Sequence, residues 1–485
     1  MFEQYGILLR KMRFPSPRSF TISTVLILSM LSGIFLILLG SYSGIDVISS
    51  TLYLPDDCWP DGELMNKIGV HCFNDYRLPV IKAMQSEPWS GNLPSSYPAS
   101  GMAVFWLFKY VEFWLGGRVA MLAYIFFLTA STLTPAVWAA QASKGREKVF
   151  VFFVCGAAAI PVWAVIDRGN SIGFLVPIML AYLIALRREK WGTVAITVVI
   201  AALIKPQFVL LGAALLVYRK WRISFVSGVI FSVASVASYL IWPANFPQTI
   251  AKTVRVMLSY GSSGGGELAY TPLNRYNVSF AKGLFLIPDA LKANKNGGVV
   301  PGEYLHDVRT YVGFGIAISV LIALTLLGHR IPPLMTGITL LATTSLFLSL
   351  SGRYYLLFVV PVGALLIRDP QGLPNTGTFD STIKEHRLAV LLMSFSTAAS
   401  IAQVPLPMPV AVTAFTQNHN TYQLPGTGPR FVETTAVLTP LLWLITCIAI
   451  LFSYSPIRKR FNLAVVPLCA RLRRAEALRS AHSAA

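Results

Sequence analysis

Asp75 is the residue from which a chemistry can be argued. It lies in the polar stretch His71–Cys72–Phe73–Asn74–Asp75–Tyr76–Arg77, which runs on to Ser96–Tyr97–Pro98 and sits between long apolar segments. A positioned carboxylate can take a proton from a hydroxyl. Further along, polar groups stand at the edges of apolar segments: Arg168 with Asn170, Lys205, Arg275 with Asn277, and Arg353 with Tyr354 and Tyr355. Ionisable groups at membrane depth are costly and as a rule face a cavity or one another. Guanidinium and ammonium groups hold phosphate, arginine best through bidentate contacts. One acid among several cations on one face therefore suits an anionic lipid-phosphate donor and a reaction that needs a base. Each residue also has a plainer reading: Arg168 snorkelling to a headgroup, Arg353 as an anchor, Asp75 as a solvated loop acid.

Other motifs carry less. Gly261–Ser262–Ser263–Gly264–Gly265–Gly266 lacks the Lys-Ser/Thr of a phosphate-binding loop and no strand precedes it, so it reads as a flexible loop. Asn277–Val278–Ser279 fits the short N-glycosylation pattern. His71, His306 and His419 fall in separate loops without ligand spacing, so no metal site and no cofactor are expected. Five cysteines form no CxxC pair. Cys58 and Cys72 share one loop, where either a disulfide or two free thiols would fit.

The elements that must position these groups are membrane helices. Of 485 residues 54% are hydrophobic and 13% charged, against about 25% charged in soluble domains. The net charge of +19 does not point to nucleic acid, because much of it lies in short runs between apolar segments and in the tail, as the positive-inside rule requires. The sequence predicts a cytoplasmic basic arm over 1–19, a transmembrane domain over 20–453 and a cytoplasmic basic tail over 454–485. The first span is about 20–42, too long for the apolar core of a signal peptide. The acid-rich stretch 43–99 follows it, within a first outer loop that reaches 118; further outer loops are 243–310 and 405–433.

Segment 100–117 is short, aromatic and interrupted by Lys109 and Glu112, so it reads as an interfacial or re-entrant helix on the outer side. With it uncrossed, Lys144, Arg146, Arg187, Arg188, Arg219, Lys220 and Arg368 all fall inside. Stretch 192–218 must then leave and return within 27 residues, where two full spans need about 40. Two half-helices meeting at Lys205–Pro206 are expected, with the turn facing a cavity.

Four passages together resemble the GT-C class of polytopic glycosyltransferases, and specifically glycosyltransferase family 87. These are Asn74–Asp75–Tyr76 with Ser96–Tyr97–Pro98, where Ala99 replaces the second proline of the family's signature; Asp167–Arg168–Gly169–Asn170; Ala201–Ala202–Leu203–Ile204–Lys205–Pro206; and Asn274–Arg275–Tyr276–Asn277–Val278–Ser279. The likeness runs over roughly 70–370. It implies an all-α, GT-C-like polytopic membrane protein of about 12 transmembrane helices with a re-entrant or interfacial helix and long outer loops. It implies an inverting transfer of a sugar, mannose first, from a polyprenyl-phosphate donor to a glycolipid or glycan acceptor at the outer face of the cytoplasmic membrane. Asp75 is then the expected base, with Asp46 as runner-up. Tyr76, Tyr97, Arg168, Asn170, Lys205, Arg275, Asn277, Arg353 and Tyr354 are the expected substrate contacts. The rivals are a transporter or lipid-linked sugar flippase, and a GT-C enzyme with another donor such as polyprenyl-phosphate-arabinofuranose.

Overall fold

The structure, a computed structural model, describes residues 16–43, 73–91, 94–262, 277–295, 305–382, 386–406, 415–417, 420–422 and 433–456. Asp46, Cys58, Cys72, His71, Arg275 and His419 lie outside the described residues.

Helices make up nearly all of it. After α1 (Pro17–Ser43) come α2 (Asn74–Ala83), α3 (Ala99–Leu115) and α4 (Gly117–Ala140). Gly116 joins α3 to α4 at φ 82°, a conformation glycine adopts readily. Phe105 of α3 stacks on Tyr124 of α4 and Phe108 meets that ring edge-on, so α3 folds back along α4 and leaves Phe113, Trp114 and Leu115 exposed at the turn. Next, α5 (Arg146–Phe152) passes through a π-helical turn, Phe153–Ala157, and bends by 49° into α6 (Ile160–Arg168). The bend has a local cause. Pro161 supplies no amide hydrogen, and Ala159 ahead of it is extended.

A 3₁₀ turn, Ser171–Leu175, leads into α7 (Val176–Arg187). The stretch expected to leave and return does so. α8 (Trp191–Ile204) stops at Lys205, and a 3₁₀ segment, Pro206–Gly212, with α9 (Ala213–Val217) runs back, bringing Tyr218 against Trp191 at 5.1 Å between ring centres. Then come α10 (Trp221–Ala237), α11 (Gln248–Ser262), α12 (Phe280–Leu284), α13 (Leu286–Lys295) and α14 (His306–Leu327). The described part of the expected loop 243–310 is thus largely helical, a point its mixed polarity hid. α11 and α13 are amphipathic, and such faces need no long apolar run. The last described helices are α15 (Pro333–Leu346), a 3₁₀ turn Arg353–Phe358, α16 (Val359–Ile367), α17 (Arg387–Ala402) and α18 (Thr439–Ser453). Two small antiparallel pairings, Pro405–Leu406 with Glu433–Thr434 and Phe415–Gln417 with Asn420–Tyr422, lie between α17 and α18.

Among the described residues five helices are long and apolar enough to cross a membrane, six if the bent α5–α6 pair is one span. Shorter apolar helices, including α8, α15 and α17, fill the interior between them. α15 is buried from Leu334 to Leu346 and α16 along its whole length. At about 1.5 Å per residue these are too short to span unaided; their ends are tolerated because protein, not lipid, covers them.

The helix ends sort into two sets. Arg18 donates to the Ile367 carbonyl at 2.9 Å and pairs with Glu147 at 2.6 Å; Arg187 pairs with Asp369 at 3.2 Å; Arg368 lies over Trp138. All are ends that charge had sorted to one side. Ends sorted to the other side meet around Asp75.

Candidate active site

Asp75 occupies the first turn of α2, where a helix favours negative charge. Phe73 before it has φ 44° and donates its amide to the Asp167 carbonyl at 3.3 Å, tying α2 to the end of α6. α6 ends because Gly169 takes φ 65°, the left-handed cap. Space demands glycine there as well: a Cβ would come 2.9 Å from that of Tyr76. The Gly169 carbonyl accepts from the Tyr124 hydroxyl at 2.8 Å. Asn170 then caps the next 3₁₀ turn, its Oδ1 accepting from the Ile172 amide at 3.0 Å.

Held in this way, Arg168 and Asn170 both reach Asp75. Arg168 Nε lies 2.9 Å from Oδ2 and Nη2 3.2 Å from Oδ1, a bidentate pair. Asn170 Nδ2 donates to Oδ2 at 2.6 Å. Burial by itself would push the Asp75 carboxyl up. The Arg168 charge and hydrogen bonds, the Asn170 amide and the Lys205 charge outweigh it and hold the group below its ordinary value of 3.8. A carboxylate offers about four lone-pair positions, and these bonds occupy two on Oδ2 and one on Oδ1. The side chain is 22% exposed. It is ionised, oriented and still able to accept one more hydrogen bond at Oδ1.

Lys205 arrives from the hairpin. Its backbone is extended (φ −138°, ψ 105°) because a residue before proline avoids the helical region. Its ammonium sits 3.8 Å from the centre of the Tyr97 ring, a cation–π contact. The start of α3 grips the carbonyl end of α8: Ser100 Oγ donates to the Leu203 carbonyl at 2.6 Å, and a Cβ on Gly101 would lie 2.7 Å from the Ile204 carbonyl oxygen. Trp89 Nε1 donates to the Tyr97 carbonyl at 2.8 Å. From the far side Tyr354 lies under the Arg168 guanidinium at 5.3 Å, and the Tyr355 hydroxyl donates to Gln207, two residues past Lys205, at 3.3 Å.

The expected residues fare differently. Asp75, Arg168, Asn170, Lys205, Tyr97 and Tyr354 converge. Tyr76 is buried against Tyr124 and Phe108, and among the described residues its hydroxyl has no hydrogen-bond partner. Arg353 is half-buried at the start of the 3₁₀ turn that packs on α6. Asn277 belongs to a different job. It is buried, donates to the Ser349 carbonyl at 2.7 Å and accepts from the Ser279 and Ser351 amides at 2.9 and 3.0 Å. It fastens two backbone segments, and that burial leaves the glycosylation pattern inaccessible. Arg168, expected on phosphate, is instead bound to the acid. Tyr124, Ser100, Gly101 and Gln207 were missed. The one signal for them was the small-residue run Ala99–Ser100–Gly101 opening an aromatic helix, which marks a close helix approach. Among the described residues no three His, Cys, Asp or Glu side chains group as metal ligands.

The sequence profile of Glycosyltransferase family 87 matches residues 96–349, just over half of the chain. The match takes in Tyr97, Arg168, Asn170, Lys205 and Asn277; Asp75 precedes it, and Arg353 and Tyr354 follow. No curated protein and no solved structure matches the chain. The family match, together with the apolar helices that carry the site, makes this chain a member of glycosyltransferase family 87, a membrane glycosyltransferase of the GT-C class.

Proposed function

We propose that this glycosyltransferase moves mannose from a polyprenyl-phosphate donor to a glycolipid or glycan acceptor, with inversion, at the outer face of the cytoplasmic membrane. The observation that carries the proposal is the junction of Asp75 with Arg168, Asn170 and Lys205. The acceptor hydroxyl hydrogen-bonds the open position on Asp75 Oδ1. Its oxygen attacks the anomeric carbon, the bond from that carbon to the phosphate oxygen breaks, and the proton passes to Asp75. The leaving lipid phosphate goes from one negative charge to two. Lys205, with Arg353 and Arg275 as further candidates, stabilises that added charge.

Arg168 and Asn170 are positioning residues in this reading. Their hold keeps Asp75 ionised, at a cost in basicity. A donor phosphate drawing on Lys205 removes part of the positive field at Asp75, so the base strengthens when the donor is in place. Tyr97 and Tyr354 flank the cations, and Tyr76 supports the floor.

The cationic helix ends, among them Arg18, Arg146, Arg187, Arg219 and Arg368, face the cytoplasm with both termini, by the positive-inside rule. The short interior helices paired with the long ones complete a bundle of about 12 crossings, flanked by the basic arm 1–19 and the tail 454–485. The site then opens on the outer side, where polyprenyl-phosphate sugars serve envelope biosynthesis.

The test is turnover in nanodiscs. Purified protein given polyprenyl-phosphate-mannose and a glycolipid extract is expected to release polyprenyl phosphate and form an inverted mannosidic linkage, read by mass spectrometry and NMR. Turnover of polyprenyl-phosphate-arabinofuranose in place of the mannosyl donor would overturn the donor assignment.

A further inference from the structure

A polar concavity lies past the end of α2, the helix that begins with Asp75. It is a cleft of about 290 Å³ between the end of α2 and the start of α11. Glu87, Ser90, Asn245, Gln248, Thr249 and Lys252 line it, and Trp89 forms part of its wall. Glu87 is held by the Ser90 hydroxyl at 2.5 Å, by the Asn245 amide, and by Lys252 at 3.5 Å; Lys252 also donates to Ser90 at 2.6 Å. The Ser90 hydrogen bond leads the influences that keep the Glu87 carboxyl below its ordinary range, so it stands as an ionised acceptor.

We propose that this cleft is the subsite for a sugar ring of the acceptor glycan. The proposal rests on the transferase reading above and extends it to the acceptor side.

Three features select that ligand. The wall alternates donors and acceptors: a carboxylate, two amides, two hydroxyls and an ammonium. Such a set suits the vicinal hydroxyls of a sugar, each of which both donates and accepts. The Glu87–Lys252 pair cancels its own charge, so the cleft has no net positive charge with which to attract a phosphate. Its volume falls at the lower edge of ligand pockets, which run from about 300 to 1,000 Å³, room for a ring and not for a polyprenyl chain.

Its position fits as well. Asp75 is in the first turn of α2 and Glu87 lies just past its last turn, so the rest of that ten-residue helix separates them. The helix beyond Asp75 is about 12 Å long, a length a short oligosaccharide spans. The two places are also mechanically joined. Trp89 reaches from the cleft to the Tyr97 carbonyl, and the Tyr97 ring carries the Lys205 ammonium. Behind the cleft, Trp89 packs on Tyr239 and Trp242, and Trp242 donates to the Ala83 carbonyl at 3.2 Å, so the wall is rigid.

The test uses the full chain in nanodiscs and saturation-transfer NMR with methyl glycosides of mannose, arabinofuranose, galactose and glucose. A Lys252→Met, Gln248→Ala double variant changes two exposed side chains and leaves the Asp75 junction untouched. At least one glycoside is expected to bind the wild type, and the variant is expected to bind it at least tenfold more weakly while binding polyprenyl-phosphate-mannose unchanged. If no glycoside signal is lost in the variant, the subsite is refuted. It is equally refuted if the variant weakens the donor instead, since the cleft would then serve the donor. Glycoside binding by a protein that never turns over polyprenyl-phosphate-mannose would keep the subsite and remove the donor assignment.

Discussion

Replacing Arg168 by Gln separates two roles that this residue could have. The guanidinium makes two charge-assisted hydrogen bonds to Asp75, at 2.9 and 3.2 Å, and the pair is largely buried, with 10% of Arg168 and 22% of the Asp75 side chain exposed. Losing one partner of a buried pair costs about 3–5 kcal/mol, and about 2–3 is expected here because Asp75 keeps Asn170 and Lys205 and touches solvent. If the pair holds the base in its reacting position, that free energy appears in the rate, a fall of roughly 30- to 150-fold in kcat/KM. The pH dependence carries the sharper signature. In the wild type the Asp75 carboxyl lies below 3.8, so its stabilising contribution is complete above that value and lost only as the pH falls through the lowered one. Without Arg168, burial, the largest influence and an upward one, is opposed by less, and the carboxyl rises. The acid limb of transfer should therefore move to higher pH in the variant. The assay is kcat/KM against pH for polyprenyl-phosphate-mannose turnover in nanodiscs, with circular dichroism to confirm folding. An acid limb that stays in place, with donor KM raised and kcat intact, would show that Arg168 holds the phosphate and would refute the positioning argument.

Lys205→Met should lower kcat more than it raises donor KM, by about tenfold or more for a lost charge-assisted contact; steady-state kinetics over donor concentration checks this, and an unchanged kcat removes Lys205 from stabilising the leaving phosphate. Gly101→Ala places a Cβ 2.7 Å from the Ile204 carbonyl oxygen, so the hairpin tip must shift at a cost of about 1–3 kcal/mol; transfer should drop while the helical spectrum stays, and full activity would show that the tip need not be so close. Asn277→Ala leaves a carbonyl and two amides without their partner, about 1–3 kcal/mol for each buried group; a lower unfolding temperature with unaltered substrate KM is expected, and a change in KM alone would return Asn277 to the substrate.

The grouping of the basic helix ends was legible because charge sorts loops strongly: Arg18, Arg187 and Arg368 lie at one set of ends. The broken hairpin at Lys205–Pro206 was legible by length: 27 residues cannot cross twice. Asp75 stood out in the sequence as an acid set between apolar segments beside Tyr76. Its partner could not. Arg168 stands 93 positions away, and sequence distinguishes neither an arginine that holds an acid from one that holds a phosphate nor an asparagine on substrate from one on backbone. Asn277 is the second case, its polar atoms bonded to the backbone of Ser279, Ser349 and Ser351. The apolar runs that form α15 and α16 were legible as crossings; that both helices are shorter than a span and covered by protein is a tertiary fact. The helices within 243–310 escaped because amphipathic helices lack the long apolar run that marked the others.

The direct test of the central claim is Asp75→Asn, which keeps the shape and removes the charge. Purified wild type and variant, matched for folding, would be compared for initial rates of polyprenyl phosphate release from polyprenyl-phosphate-mannose with acceptor present. General-base catalysis contributes about 10²- to 10⁴-fold. A loss of at least about a hundredfold in kcat, with donor binding retained, is the predicted result; a folded Asp75→Asn protein transferring at close to the wild-type rate would contradict the account.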